Sequence, residues 1–343
     1  MKLDAALAPA GLAEVPAIAA AAESAGFDCL WTTETQHDPF LPLALIAEHT
    51  SRIQLGTGIA VSFARSPATL AYTAWDLAAQ SKGRFILGLG TQVKAHVERR
   101  FGMDWPASVT GKLREQIQVM RALWQTWQSG APLNQRGTYY KITLMSPFFN
   151  PGPLPASIFS QTGEPAVPIY IAGVNTGLAR LAGELCDGFL VHPFHTPDYL
   201  RQVLLPAIQA GADQQGRSKQ ALTISASVFG ASNEKEREYC RQQVAFYAST
   251  PSYRPVMALH GWGEIAEKLS ALAARAEWAQ MPAFIDDKIL SAFVTEAESP
   301  KQLALALQER YHGLADRLTL YLPFVPGEKD GWWRSLTAQF TQQ

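Results

Sequence analysis

Phe85-Ile86-Leu87-Gly88-Leu89, inside a strand expected over Arg84 to Gly90, carries no polar residue on either face. A strand with one wet side alternates polar and apolar residues; a strand without that alternation belongs to a sheet covered on both faces, as parallel sheets are. The residues upstream agree. Gly83 stops a helix that Ser66-Pro67 opens with a capping hydroxyl and a proline in the first turn, and Leu70, Ala74 and Leu77 form its inward stripe. Arg52 to Phe63 reads as a strand, Pro39 to His49 as a helix and Phe27 to Thr32 as a strand. Before them, Leu12 to Ser24 repeats apolar residues at helical spacing and is closed by Gly26, while Lys2 to Leu7 forms the first strand. Neighbouring strands joined by crossovers of about 20 residues are parallel, because antiparallel neighbours need only a hairpin.

The rhythm continues downstream. A helix is expected over Lys112 to Gln128, a strand over Val167 to Ala172, a helix over Thr176 to Leu185, and a strand over Asp187 to His192. A helix opens at Thr196-Pro197, a strand covers Ala221 to Gly230, Ser299-Pro300 opens another helix, and Arg317 to Pro323 is the last strand. Eight such strands predict an α/β fold, a (β/α)8 TIM barrel, as one domain over residues 1–343 with no linker and no internal repeat beyond the βα period. Two stretches interrupt the period, about 130–165 after strand four and 233–290 after strand seven. The first holds the proline-rich run Thr138 to Pro155, the second Ser249 to Pro255 and His260 to Gly263. Both follow strands, which places them on the C-terminal face where barrels build active sites.

With 29 Lys and Arg against 30 Asp and Glu, the net charge is −1, and no basic face is clustered. That excludes nucleic acid as the main partner, since phosphate binding needs a cationic excess. No apolar run reaches the ~18 residues of a membrane span, and no signal-length segment opens the chain. Cys29, Cys186 and Cys240 are widely spaced and form no C-x-x-C pair, so they are expected as reduced core thiols in a reducing, cytoplasmic setting. A charged fraction of 17%, below the usual ~25%, points to extensive burial in a core or an oligomer contact.

On a barrel the informative residues stand just past each strand. After the second come Trp31, Glu34, His37 and Asp38, an aromatic, two acids and an imidazole within eight residues. Two readings fit: a proton-transfer site, or carboxylates capping the next helix beside a surface histidine. After the third, Gly56-Thr57-Gly58-Ile59 permits a bulge beneath a flat ligand, or a bulge that is only structural. After the fourth, Gly88-Leu89-Gly90-Thr91-Gln92 matches no phosphate-loop fingerprint, so its glycines indicate only a close approach to the backbone. After the fifth, Ala172-Gly173-Val174-Asn175 runs into a helix whose free N–H groups suit a phosphate, or an ordinary N-cap. After the sixth, His192 and His195 lie three apart with no acid nearby, which favours hydrogen bonding over metal; no metal site is expected.

At these residues the chain resembles the luciferase-like monooxygenase superfamily, and within it the branch of oxidoreductases dependent on coenzyme F420. The resemblance spans Lys2 to about Leu322 and is carried by Phe27 to Glu34, Leu55 to Ile59 with Arg65-Ser66-Pro67, Gly83 to Gly90, and Leu181 to Gly188. Gln92 to Gly102, Val191 to Thr196 and Phe246 to Pro251 are similar to one subgroup of that branch. The resemblance implies a barrel, usually homodimeric, that holds a deazaflavin or FMN ring on a bulge with a cis peptide at Gly58–Ile59. Gly90, Thr91 and Gln92 would flank the ring, and Ala172, Gly173, Val174 and Asn175 would lie near the ribityl-phosphate end. Trp31 and His192 would complete the cofactor contacts, with His37 or Glu34 as the proton source and Trp31 as a wall. Relatives commonly follow the tryptophan with an adjacent acid–histidine pair, whereas here Thr35 follows Glu34 and the histidine comes at His37. Val93 stands where sugar-phosphate dehydrogenases of the branch place a glutamate, which argues against glucose 6-phosphate as substrate.

The expected activity is hydride transfer between coenzyme F420 and a small apolar organic substrate. A two-component monooxygenase using FMN, with a flavin reductase as partner, is the alternative, and a non-catalytic flavin-binding barrel is a second.

Overall fold

The computed structural model describes residues 1–158 and 167–340; the last part of the insertion expected over 130–165 lies outside the described residues. The barrel strands are β1 (Lys2–Ala6), β2 (Cys29–Thr32), β3 (Gln54–Thr57) and β4 (Phe85–Gly90). They continue as β5 (Ile169–Gly173), β6 (Gly188–Val191), β7 (Thr223–Ala231) and β8 (Arg317–Leu320). Every neighbouring pair is parallel, and β8 pairs with β1 at Lys2↔Arg317 and Asp4↔Thr319, closing the ring of eight. Each strand thus runs the same way, and all the C-terminal ends open onto one mouth.

Local chemistry explains the elements. The helix Val15–Ala25 ends at Gly26, whose φ of 90° lies in the left-handed region expected of a helix stop. Ser66 accepts a hydrogen bond from the Thr69 N–H at 3.1 Å and caps the helix Pro67–Gln80. The strand expected over Arg52 to Phe63 is broken: β3 stops at Thr57, a two-residue piece, Ala60–Val61, pairs with β4, and a helical turn follows at Ser62–Ala64. The break coincides with a cis peptide at Gly58–Ile59. Between β4 and β5 a small hairpin pairs Gln135–Arg136 with Lys141–Ile142. The segment after β7 is mainly helical and returns a short strand, Val294–Glu296, to the outer end of β7. Among the described residues no helix is long and apolar enough to cross a membrane.

Along the strands, period-two alternation separates two cores. Leu3, Leu30, Leu55, Phe85, Leu87, Ile169, Phe189 and Leu318 join the layer under the helices. Cys29, Trp31, Ile86 and Tyr170, with Leu190 against them, form a separate cluster from the alternate positions, inside the barrel. All three cysteines are buried and unpaired, and burial pushes the thiols of Cys186 and Cys240 up to about 12. Glycine makes room for the large interior rings: a Cβ on Gly56 would sit 2.5 Å from the Trp31 ring, and one on Gly188 2.6 Å from Tyr170.

A buried ion pair sits in the same interior. Arg317 Nε and Nη2 donate to the two oxygens of Asp4, each at 2.8 Å, Trp31 Nε1 donates to Asp4 at 2.9 Å, and Arg317 Nη1 donates to Gln54 Oε1 at 2.6 Å. Burial raises the Asp4 carboxyl while Arg317 and the indole N–H oppose it, and the carboxylate beside Arg317 holds the guanidinium above its ordinary value. Trp31, expected as a wall of the site, is part of this constellation. It is 4% exposed and fills the barrel interior, because its N–H has a buried acceptor there.

Asp4→Asn leaves the Arg317 charge without its counter-ion, and a urea titration is expected to show a loss of about 3–5 kcal/mol. The double variant Asp4→Leu/Arg317→Met should recover much of that loss.

Candidate active site at the barrel mouth

The ends of β2, β3 and β4 lie side by side and build a shelf around the cis Gly58–Ile59 peptide. Gly58 N donates to Thr32 O at 2.6 Å, and Glu34 N donates to Ile59 O at 3.2 Å, so the loop after β2 grips both sides of the bulge. The Glu34 side chain completes the grip: Oε2 accepts from Val61 N at 2.6 Å and from Arg65 Nη1 at 2.7 Å. Arg65 Nη2 reaches Asp38 at 3.1 Å. Burial works to lower the Arg65 guanidinium, but the Glu34 hydrogen bond and charge outweigh it and raise the group above its ordinary value. Behind the shelf, Ile59 packs against the bare backbone of Gly90, where a Cβ would lie 2.7 Å from its side chain. Gly58 and Ile59 themselves are half-buried.

The two residues expected as proton sources sit differently here. Glu34, offered as a proton source, is 7% exposed and engages a backbone N–H and a guanidinium, so it positions the shelf. His37, the other, is exposed in the loop. The capping reading holds for Asp38, whose Oδ1 accepts from Phe40 N at 2.8 Å and Leu41 N at 3.1 Å, but not for Glu34. The sequence placed Arg65 in the motif without assigning it this contact, because an ion pair 31 residues apart depends on which strands become neighbours.

At the end of β4, Thr91 is buried and Gln92 takes a left-handed φ of 57°. At the end of β5, Ala172 and Gly173 are half-buried, and Val174 is buried with its carbonyl accepting from Tyr199 Oη at 3.1 Å. Asn175 occupies the N-cap position of the helix Thr176–Leu185, yet its side chain donates to Ser252 O at 3.1 Å instead of capping. Among the described residues, the first N–H groups of that helix are thus left without a side-chain cap.

His192 and His195 part company after β6. His195 is 2% exposed, with Nδ1–H donating to His192 O at 2.7 Å and Nε2 accepting from Tyr311 Oη at 3.1 Å, so it belongs to the core. His192 is half-buried at the mouth beside Tyr247 and Tyr253. Burial pushes their imidazoles down to about 3 for His192 and about 4 for His195. Tyr247 and Tyr321, whose hydroxyls lie 2.5 Å apart, received no role from the sequence. Tyr321 was absorbed into the expected last strand, which in fact ends at Leu320.

Glu34→Ala leaves the Val61 N–H without its acceptor, and hydrogen exchange at the Val61 amide is expected to accelerate by at least tenfold, with a stability loss of about 1–3 kcal/mol. Glu34→Gln, which keeps an acceptor oxygen, should retain most of the protection. Both histidines remain neutral in the folded chain while the unfolded chain takes up protons below the ordinary value of 6.5. The unfolded state then binds more protons, so stability is full above that value and falls as pH drops towards 4, by roughly 1.4 kcal/mol per pH unit for each histidine. Urea midpoints measured through this window should fall less steeply in His195→Asn than in the parent chain.

Residues 2–317 match the family model described as luciferase-like monooxygenase. An uncharacterized protein of Mycobacterium tuberculosis is 42% identical over 326 residues, covering 93% of this chain and 92% of that protein. An F420-dependent glucose-6-phosphate dehydrogenase of Nakamurella multipartita is 29% identical over 252 residues, 70% of this chain and 69% of the relative. Among solved structures, the coenzyme F420 dependent tetrahydromethanopterin reductase from Methanopyrus kandleri superposes with a TM-score of 0.77 at 23% identity, covering 98% of this chain and 97% of that one, a likeness of fold. With its closed barrel, its shelf at Gly58–Ile59 and a family match over nearly its whole length, this chain belongs to the luciferase-like monooxygenase family.

Proposed function

We propose that this chain is an oxidoreductase that binds coenzyme F420 at the barrel mouth and serves hydride transfer to or from a small, mainly apolar organic substrate. The observation that carries the reading is the shelf: a half-buried, uncharged surface at Gly58–Ile59, gripped by Glu34 and packed against the bare backbone of Gly90. The named relative that depends on F420 adds support. The residues fit such a cofactor. Gly58 and Ile59 would lie under its ring, with Gly90, Thr91 and Gln92 beside it. Ala172, Gly173, Val174 and Asn175 would receive the phosphate-bearing side chain, where the uncapped helix start offers N–H donors. When bound, the deazaflavin supplies the hydride chemistry; the protein supplies orientation and exclusion of water. The same reading takes residues 1–343 as one barrel domain, homodimeric and cytoplasmic.

The test is an equilibrium titration of the purified protein with coenzyme F420 and, separately, with FMN, reading quenching of each cofactor's fluorescence. Binding of the deazaflavin with FMN at least tenfold weaker is the expected result. Tight binding of FMN alone would replace the proposal with a two-component monooxygenase that needs a reductase, and binding of neither would point to a barrel without redox chemistry.

A further inference from the structure

Across the mouth from the shelf, the ends of β6, β7 and β8 carry side chains of a different kind. In a closed ring of eight strands β3 stands opposite β7, so a molecule resting on Gly58–Ile59 turns its far side to this region. His192 follows β6, Tyr321 follows β8, and Tyr247 and Tyr253 come from the segment after β7; all four are half-buried. The His192 ring meets those of Tyr247 and Tyr253 at 4.8 Å each, and Phe194 stacks on Tyr253 at 6.0 Å. The turn bearing Tyr253 is tied down at both ends, by Asn175 Nδ2 donating to Ser252 O at 3.1 Å and Ser270 Oγ donating to Ser249 O at 2.6 Å. These rings are thus held in place before any ligand arrives.

Proton accounting shows what the cluster offers. His192 Nδ1 accepts from Phe194 N–H at 3.1 Å, so a neutral imidazole carries its proton on Nε2, which faces Tyr253 Oη at 3.4 Å. Tyr253 therefore accepts from His192, and its own hydroxyl hydrogen has no acceptor among the described residues. In the Tyr247–Tyr321 pair one hydroxyl donates to the other, which leaves one more hydrogen over. Two O–H donors are available at the mouth. Among the described residues, no carboxylate, lysine or arginine forms a hydrogen bond or ion pair with His192 or Tyr253, and burial dominates the surroundings of both. An ionic group brought here from water would lose hydration without gaining a counter-ion, whereas a neutral oxygen would gain a donor.

We propose that this half of the mouth is a substrate subsite selecting an uncharged molecule with an aromatic or apolar body and one acceptor oxygen. Ketones, aldehydes and alcohols meet that description. Tyr253 donates to the oxygen, His192 orients Tyr253, and the Tyr247 ring bounds the body, with Phe194 buried behind Tyr253 as its support. The inference rests on reading the mouth as the active site, but the subsite can be probed without any cofactor.

Fluorine NMR titrations of the purified full chain with four separate probes test it: para-fluoroacetophenone, para-fluoroethylbenzene, para-fluorobenzoate and para-fluorophenyl phosphate. The ketone is expected to bind about tenfold more tightly than the hydrocarbon or either anion. Tyr253→Phe, which removes one oxygen and keeps the ring stack, should abolish the ketone's advantage while leaving hydrocarbon binding unchanged; an unaltered thermal melt confirms its fold. Anions binding as tightly as the ketone, a ketone preference that survives Tyr253→Phe, or no binding of any probe would overturn the proposal. Failure of the cofactor titration with this ranking intact would overturn the deazaflavin reading and leave the subsite standing.

Discussion

The contact on which the rest of the structure depends is the buried pair between Asp4 and Arg317, residues 313 positions apart that meet where β8 closes on β1. An ion pair in a dry interior adds little net stability over apolar residues of the same volume, but it is unforgiving of misplacement. Any other register of β8 would leave one of the charges alone inside the barrel. Through Gln54 and the Trp31 indole the pair also engages β3 and β2, so one constellation reports on the alignment of four strands.

From that pair the geometry passes upward to the mouth by contact. The Asp4 carboxylate fixes the orientation of the Trp31 ring, and the ring occupies the volume that a side chain on Gly56 would take. The Cβ of Trp31 lies 3.3 Å from where one on Gly58 would be, so the residue that anchors the interior also underlies the shelf. Glu34, three residues further along, clamps the other side through Ile59, Val61 and Arg65. The carboxylate thus holds backbone in place, as expected where a buried anion finds both a peptide N–H and a guanidinium.

The two sides of the mouth differ in kind. The shelf side is backbone and small residues, with its charges turned inward to one another. The opposite side is phenols and a neutral imidazole held by burial, rigid because its turn is pinned at Ser249 and Ser252. Such a division suits a site in which one face orients a flat ring and the other discriminates among the molecules brought against it.

By itself the sequence determined the period of the fold and the places where it is interrupted. Helix stops at Gly26 and Gly83, the Ser66-Pro67 opening and the two-faced apolar run of β4 are local signals that need no knowledge of neighbours; they suffice for a parallel sheet, and the count of eight strands points to a barrel. The shelf at Gly58–Ile59 was legible too, through the glycine spacing and the family resemblance. Which side chain meets which depends on how the strands assemble. Trp31 stands near the end of β2 and Glu34 just past it, positions that say nothing of whether a side chain turns into the barrel, behind the shelf or into the mouth. That choice fell to partners far away in the chain, Asp4 for Trp31 and Val61 with Arg65 for Glu34. Likewise Tyr247 and Tyr321, which lie 74 residues apart, become a pair only once β7 and β8 lie side by side, since hydrogen bonds between side chains depend on distance in space and leave no spacing to read.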